Sequence, residues 1–175
     1  MINQPSFASA DRFDRGVYTK PKNEERLLNA AIVQAGVESI EEYLEIFDAF
    51  YDDDVEVSSE TEKEPIRGKS RVRSLLYNFL MPFHIMAEIG GLSTSLHQTA
   101  IPGDSSNETH SAWRLDLLGA SGAVSTLNWC TRRKWNGSCV VYEHHYDHQQ
   151  TGGPLTLNDF EFNAAKPTAG SRRPS

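Results

Sequence analysis

The chain has 175 residues, a length typical of one domain that buries its own hydrophobic core. Hydrophobic residues make up 38% and charged residues 23%, which indicates a globular rather than a disordered chain. The formal net charge is −7 and no basic face is visible, which argues against nucleic acid and anionic membranes as main partners.

The sequence gives no sign of a zinc site, a disulfide framework or a secretory leader. Its two cysteines are Cys130 and Cys139, and no Cys/His spacing matches a zinc site. The N-terminus lacks a basic region and a long apolar run, and no window of about 18 apolar residues occurs. We therefore expect a cytoplasmic protein that uses neither a metal nor another cofactor.

Three helices are predicted in the first half of the chain, each from apolar residues spaced three or four apart. Ser39 and Glu42 form a capping box at the start of the second helix. Pro82 is expected to end the third helix. The predicted helices span about residues 23–35, 39–51 and 69–80.

Strands are predicted in the second half, where apolar residues alternate with polar ones. Asn136-Gly137 between two such segments is a strong hairpin signal, and Pro102-Gly103-Asp104 predicts another turn. Helices followed by a meander favour an α+β fold, with the N-terminal helices packed on a curved, mostly antiparallel sheet. The predicted strands lie near residues 55–59, 64–67, 84–98, 107–118, 123–135 and 138–148.

The two ends of the chain differ from this middle part. We predict an N-terminal arm over residues 1–22, one α+β domain over residues 23–150, and a C-terminal tail over residues 151–175. The tail begins with Gly152-Gly153-Pro154, which breaks any regular element, and it then carries several apolar residues. We expect its start either to fold back as a lid or to pack on a neighbouring subunit, and its end to be mobile.

Three short motifs occur in a fixed order along the chain. Residues 51–55 read Tyr-Asp-Asp-Asp-Val, Gly68 precedes the third helix, and Tyr146-Asp147 closes the last strand. This order resembles the nuclear-transport-factor-2-like (NTF2-like), or SnoaL-like, superfamily over about residues 23–148. The resemblance implies a cone-shaped α+β barrel. The superfamily includes polyketide cyclases, ketosteroid isomerase, scytalone dehydratase, limonene epoxide hydrolase, dioxygenase β-subunits and non-catalytic transport modules, so fold alone does not decide function.

Alternation sorts the strand residues into two faces without saying which face is inside. If the apolar face meets the helices, the polar face with Arg114 and Asp116 is exposed to solvent. If the polar face lines a cavity, the apolar face lies outside and needs a partner, such as a second subunit. The apolar face carries Trp113, Leu115, Leu117, Leu127 and Trp129.

The resemblance favours the second arrangement. Arg114-Leu115-Asp116 is similar to the Arg-x-Asp of limonene epoxide hydrolase, in which the Arg and Asp point into the cavity and their apolar neighbours form the dimer interface. This similarity implies a homodimer through the outer sheet face. His144 stands where that family has a second acid, so epoxide opening itself is not implied.

In the cavity arrangement, Asp116 and His144 would form an acid–base pair, and Arg114 would keep Asp116 ionised. Asn128 would donate a hydrogen bond to a developing oxyanion. The expected substrate-binding residues also include Tyr43, Phe47, Tyr51, Tyr142 and Tyr146. Secondary candidates for the acid–base chemistry are Asp54, His84 and His97.

Two classes of function are consistent with these residues. The first is a lyase, isomerase or hydrolase that acts without a cofactor on a small, mostly apolar, cyclic metabolite. The second is a non-catalytic module of the same fold that binds a ligand or assembles with another subunit, as an oxygenase β-subunit does. In the second class, Arg114 and Asp116 only order the sheet and His144 is a structural histidine.

Overall fold

A computed structural model of the chain describes residues 21–101, 107–156 and 159. Its helices pack on one six-stranded sheet with the strand order β2-β1-β6-β5-β4-β3. Strands β1 and β6 are parallel, and the other neighbouring strands are antiparallel. The predicted α+β class is therefore confirmed, although the sheet does not close into a barrel. The elements are α1 (Pro21–Ala35), α2 (Ile40–Phe50), β1 (Tyr51–Ser59), β2 (Ile66–Arg67), α3 (Lys69–Glu88), β3 (Leu92–Ile101), β4 (Glu108–Gly119), β5 (Val124–Asn136) and β6 (Cys139–Thr151).

Helices α1 and α2 form where the apolar period predicts them. Helix α1 ends at Ala35 and is followed by Gly36, whose φ of 67° is the left-handed conformation that favours glycine at this position. Helix α2 buries Leu44, Phe47 and Phe50 against the sheet. The capping-box prediction is wrong in one respect, because the Ser39 side chain makes no capping hydrogen bond.

Helix α3 is longer than predicted. It continues through Pro82 to Glu88, and β3 begins only at Leu92. Proline removes one backbone hydrogen bond from a helix, and here packing compensates, because Met81, Phe83 and Met86 all contact the core.

The sheet places its apolar face inside, so the expectation that its polar face lines the cavity is wrong. Trp113, Leu115 and Leu117 are buried, with Leu115 only 1% exposed. Leu127 and Trp129 are partly buried against the same core. Removing this apolar area from water stabilises the fold, and no charged side chain offers a comparable gain. The apolar surface that motivated the homodimer is thus not on the outer face, and the homodimer stays a prediction.

Several sequence predictions fall outside the described residues. These are most of the N-terminal arm, the Pro102-Gly103-Asp104 turn and most of the tail. The start of the tail is described: Leu155 packs against the core, and the Asp159 carbonyl accepts a hydrogen bond from the Ser121 amide over 3.0 Å. A lid at this position stays a prediction. None of the helices in the described ranges combines the length and hydropathy needed to cross a bilayer.

Candidate active site

The inner face of the sheet and the helices enclose a cavity of about 480 Å³. This volume is in the range of small-molecule binding sites. Most of its walls are apolar side chains from α2, α3 and the sheet. The apolar lining includes Ile46, Phe47, Val72, Leu76, Leu80, Leu96, Leu115, Leu127 and Trp129.

A buried ion-pair network forms one part of the cavity wall. The Arg133 guanidinium, 3% exposed, lies between two carboxylates. Its Nη1 donates to Glu25 Oε1 over 2.9 Å, and its Nε donates to Glu143 Oε2 over 2.5 Å. Asn29 also accepts from Nη1 over 2.8 Å and donates to Glu25 over 3.0 Å. Helix α1 is thereby joined to the sheet through charged groups that are buried away from solvent.

Glu143 is the residue that links this network to the cavity. Its Oε2 accepts a hydrogen bond from the Tyr51 hydroxyl over 2.5 Å, and its Oε1 lies 2.7 Å from His145 Nε2. Arg133 and Glu143 face each other on β5 and β6, and His145 lies opposite Thr131 in the same ladder. Tyr51, Thr131, Arg133, Glu143 and His145 therefore share one polar region of the cavity lining.

The charges of the network keep Glu143 ionised. Burial by itself raises the pKa of this carboxyl, but the Arg133 guanidinium, His145 and the hydrogen bonds from His145 and Tyr51 outweigh it. The pKa of Glu143 is consequently well below its ordinary value. The pKa of Glu25 is lowered for the same reason. Burial raises it, but the Arg133 charge and the hydrogen bonds from Ser111, Asn29 and Thr109 outweigh burial.

An ionised Glu143 fixes the tautomer of His145. A carboxylate only accepts hydrogen bonds, so His145 Nε2 must carry a proton. In the neutral ring, the lone pair then resides on Nδ1. His145 is half-buried, with 29% of its side chain exposed, so it combines a fixed orientation with access to the cavity.

Two tyrosine hydroxyls near Glu143 stay protonated at neutral pH. Burial, followed by the charge of Glu143, raises the pKa of Tyr43 to about 12. Burial also raises the pKa of Tyr51 well above its ordinary value. The Tyr51 hydroxyl donates to Glu143, whereas the Tyr43 side chain lines the cavity. Tyr43 is thus a neutral hydrogen-bond donor at the polar region.

Two tryptophans form an aromatic part of the cavity wall. The rings of Trp113 and Trp129 stack with centroids 6.1 Å apart and planes 9° from parallel. The Arg133 guanidinium lies over the Trp113 ring, 5.8 Å from its centroid. Trp113 is only 4% exposed, so the half-buried Trp129 is the accessible ring of this pair for contact with a ligand.

The comparisons with known proteins agree with this architecture. No protein-family model matches the sequence, and no curated protein matches it. A solved structure of a "putative isomerase" from Bacillus subtilis is similar, with a TM-score of 0.52, 10% identity, and coverage of 73% of this chain and 88% of that chain. A "putative polyketide cyclase" from Pseudomonas putida KT2440 has a TM-score of 0.50 and 12% identity, and the match covers 82% of this chain and 96% of that chain.

A third similar structure is an NTF2-like protein of unknown function from Cytophaga hutchinsonii ATCC 33406. Its TM-score is 0.47 at 14% identity, over 69% of this chain and 96% of that chain. The chain has the NTF2-like fold. This confirms the fold that the sequence motifs imply, and it leaves the activity to the residues in the cavity.

The NTF2-like fold carries the predicted acid–base residues on its outer face. Arg114 Nε donates to Asp116 Oδ1 over 3.0 Å, and the Arg114 side chain is 58% exposed. A hydrogen bond from Thr126 and then one from Arg114 lower the pKa of Asp116. The ion pair thus exists, but the expectation that it points into the cavity is wrong. His144 also lies outside, where its Nδ1 is 2.8 Å from Ser58 Oγ, and burial lowers its pKa.

The other predicted residues divide between the two sides of the sheet. Tyr43, Phe47, Tyr51 and Asn128 line the cavity, and their role in substrate binding stays a prediction. The remaining candidates lie elsewhere. Tyr142 bonds to Ser58, Tyr146 stacks on His144, His97 lies 3.0 Å from Ser95, His84 contacts the Glu38 carbonyl, and Asp54 is exposed on β1.

The sequence analysis missed Arg133, Glu143 and His145. A signal for two of them exists in the sequence. Arg133 precedes the Asn136-Gly137 turn and Glu143 follows it, so the hairpin brings these opposite charges together across the two strands. Within the described ranges, no cluster of three or more His, Cys, Asp or Glu side chains is arranged to hold a metal ion.

Proposed function

We propose that this protein catalyses a proton-transfer reaction on a small, mostly apolar, cyclic molecule bound in the cavity. The observation that supports the proposal is the hydrogen bond between His145 and the buried carboxylate of Glu143, in the wall of a mostly apolar cavity. A histidine oriented by a buried carboxylate is a recurrent acid–base device in enzymes.

In the proposed site, His145 is the general base and Glu143 orients it. Nδ1 takes a proton from the substrate, and the imidazolium that forms is stabilised by the adjacent carboxylate. Arg133 and Tyr51 hold Glu143 in place and ionised, so the carboxylate does not itself take up the proton.

Tyr43 completes the proposed site as a donor. Its hydroxyl is neutral, since its pKa is raised to about 12, and it lies in the cavity lining near Glu143. A donor placed where negative charge develops stabilises a transition state more than the ground state. The half-buried Trp129 ring would contact the ring of the substrate.

The test uses 5-nitrobenzisoxazole, a small apolar molecule whose ring opening needs only a base. The base removes the proton on C3, the C–H electrons form the nitrile, and the N–O bond breaks to release a coloured phenolate. We expect the wild-type protein to accelerate this reaction above buffer. His145→Gln should lower kcat/KM by about 10²–10⁴-fold, the usual contribution of a positioned base.

His144→Gln is the matched control, because the two histidines are neighbours in sequence and point to opposite faces of the sheet. We expect this variant to keep the wild-type rate. The reverse order of rates would assign the chemistry to the outer face instead. Binding of the probe without any rate acceleration would favour the non-catalytic ligand-binding module over the enzyme.

A further inference from the structure

A β-bulge near the end of β6 changes which side chains face the cavity. Strand β6 carries one extra residue between Tyr146 and Gln149, relative to β5. Within this segment Asp147 has a φ of 55°, a left-handed conformation that is uncommon for a residue other than glycine. Without the bulge, His148 would follow Tyr146 to the outer face. With it, His148 lines the same cavity as His145.

Glu60 holds this second histidine in position. Its Oε1 accepts hydrogen bonds from the His148 amide over 2.8 Å and from His148 Nδ1 over 3.0 Å. The hydrogen bonds from the His148 amide and ring, and then from the Asp147 amide, lower the pKa of Glu60 to about 2. Glu60 is therefore an acceptor only, so Nδ1 of His148 carries a proton and Nε2 is the ring nitrogen that remains for a ligand.

The two histidines have matching support and different surroundings. Each is oriented by an ionised carboxylate, His145 by Glu143 and His148 by Glu60. The Glu143 side chain is 8% exposed and the Glu60 side chain is 43% exposed, so the first pair is in the buried wall and the second is at the open rim. Two proton-transfer groups in different environments are what a reaction needs when one proton is removed and another is returned.

We propose that His148 is a second proton-transfer residue of the cavity, and that the protein moves a proton between two positions of one substrate. This inference rests on the proposed function of His145. His145 takes a proton from one carbon, and the His148 imidazolium delivers a proton to a second position through Nε2. Exchange with solvent at the rim then restores the protonation of both rings, so that the net change is a shift of one proton.

The probe for this step is cyclohex-3-enone in D₂O. His145 removes a proton from C2, the C–H electrons form a dienolate, and the carbonyl π electrons move to oxygen. Delivery of a proton or deuteron to C4 then re-forms the carbonyl and gives cyclohex-2-enone. Deuterium at C2 of the recovered ketone reports proton removal alone, and conversion to the conjugated enone reports both transfers.

We expect His145→Gln to lose both deuterium exchange and conversion. His148→Gln should keep the exchange at C2 and lower conversion by about 10²-fold. Glu60→Gln keeps an oxygen acceptor for the His148 amide and removes the charge, and it should produce the same separation to a smaller extent. His110→Gln, on the outer face beside Tyr146, is the control and should match the wild type.

The outcomes separate this inference from the proposed function. If His148→Gln converts the ketone at the wild-type rate, the second proton-transfer residue is ruled out, and His145 remains the base. If His145→Gln converts it at the wild-type rate, the proposed function and this inference both fail. A wild-type protein that opens 5-nitrobenzisoxazole but neither exchanges nor converts the ketone overturns the proton shift alone.

Discussion

At the scale of single residues, Glu143 is the point at which stability and the proposed chemistry meet. Its two oxygens accept hydrogen bonds from Arg133, Tyr51 and His145. These three donors lie on three different strands, β5, β1 and β6. Because the carboxylate is buried, each of these bonds replaces contact with water that the folded protein has lost. Removal of the Glu143 charge therefore weakens the hydrogen bonds from all three donors.

We expect Glu143→Gln to lower the free energy of unfolding by about 3 kcal/mol, the lower part of the range for breaking a buried ion pair, since glutamine keeps one acceptor. The matched control is Glu56→Gln, which removes the charge from an exposed ion pair with Arg67 at 2.7 Å. That change should cost less than about 1 kcal/mol. Urea unfolding at pH 7 measures both values, and equal losses would contradict the importance of the buried network.

Tyr43 offers a separate test of charge stabilisation in the cavity. Tyr43→Phe keeps the ring in the wall and removes the hydroxyl. If that hydroxyl donates to the oxygen that becomes negative in the ring opening of 5-nitrobenzisoxazole, kcat should fall by about 10²-fold. Tyr77→Phe is the control, because Tyr77 is exposed on α3. A wild-type rate in Tyr43→Phe would remove Tyr43 from the proposed site and leave His145 in it.

At the scale of elements, strand β6 explains why the sequence predicted the fold better than the site. Apolar periods and the Asn136-Gly137 turn locate the strands to within a few residues. The ladder between β5 and β6 then shifts twice, between Lys134 and Trp135 and again near Asp147. Each extra residue moves the following side chains to the other face. No local pattern marks these bulges, so counting by twos misplaces the end of β6.

Strand β4 also shows where prediction from sequence failed, because a short motif was used to decide which face of this strand lines the cavity. The Arg114-x-Asp116 pattern is present and forms an ion pair, but on the outer face. Alternation alone was consistent with the arrangement that the structure has, in which Trp113 and Leu115 are inside. Burial of apolar area decided between the two arrangements, and a short motif carried less information than the energetics of the core.

The end of β6 should be sensitive to a side chain at Gly152. A Cβ there would collide with the Val124 carbonyl oxygen, and the φ of 78° is itself unfavourable for other residues. Gly137 is the matched control: its φ is 61°, and a Cβ there meets nothing within 4 Å. We expect Gly137→Ala to cost about 1 kcal/mol. Gly152→Ala should cost about 1–3 kcal/mol more because of the collision. Urea unfolding of the two variants gives the difference.

At the scale of the whole molecule, one polar network joins helix α1 to the middle of the sheet. Glu25 on α1 accepts hydrogen bonds from Thr109 and Ser111 on β4 and pairs with Arg133 on β5. Both carboxylates accept hydrogen bonds from the Arg133 guanidinium, and the network lowers the pKa of each, so protonation of either one weakens it. The packing of α1 over the cavity should consequently depend on pH.

This dependence has a definite sign. The pKa values of Glu25 and Glu143 are both lowered in the folded protein from an ordinary value of 4.5. Their contribution is therefore complete above about pH 4.5 and is lost as the pH falls below it, because the unfolded chain then binds protons that the folded protein does not. Below that pH, each carboxylate lowers the free energy of unfolding by up to about 1.4 kcal/mol per pH unit. Urea unfolding between pH 3 and 7 should show a plateau followed by this decline, and Glu25→Gln should have a shallower decline than the wild type. An equal slope in the two proteins would show that acid unfolding is governed by exposed carboxylates, and that the buried network does not set the stability of the fold.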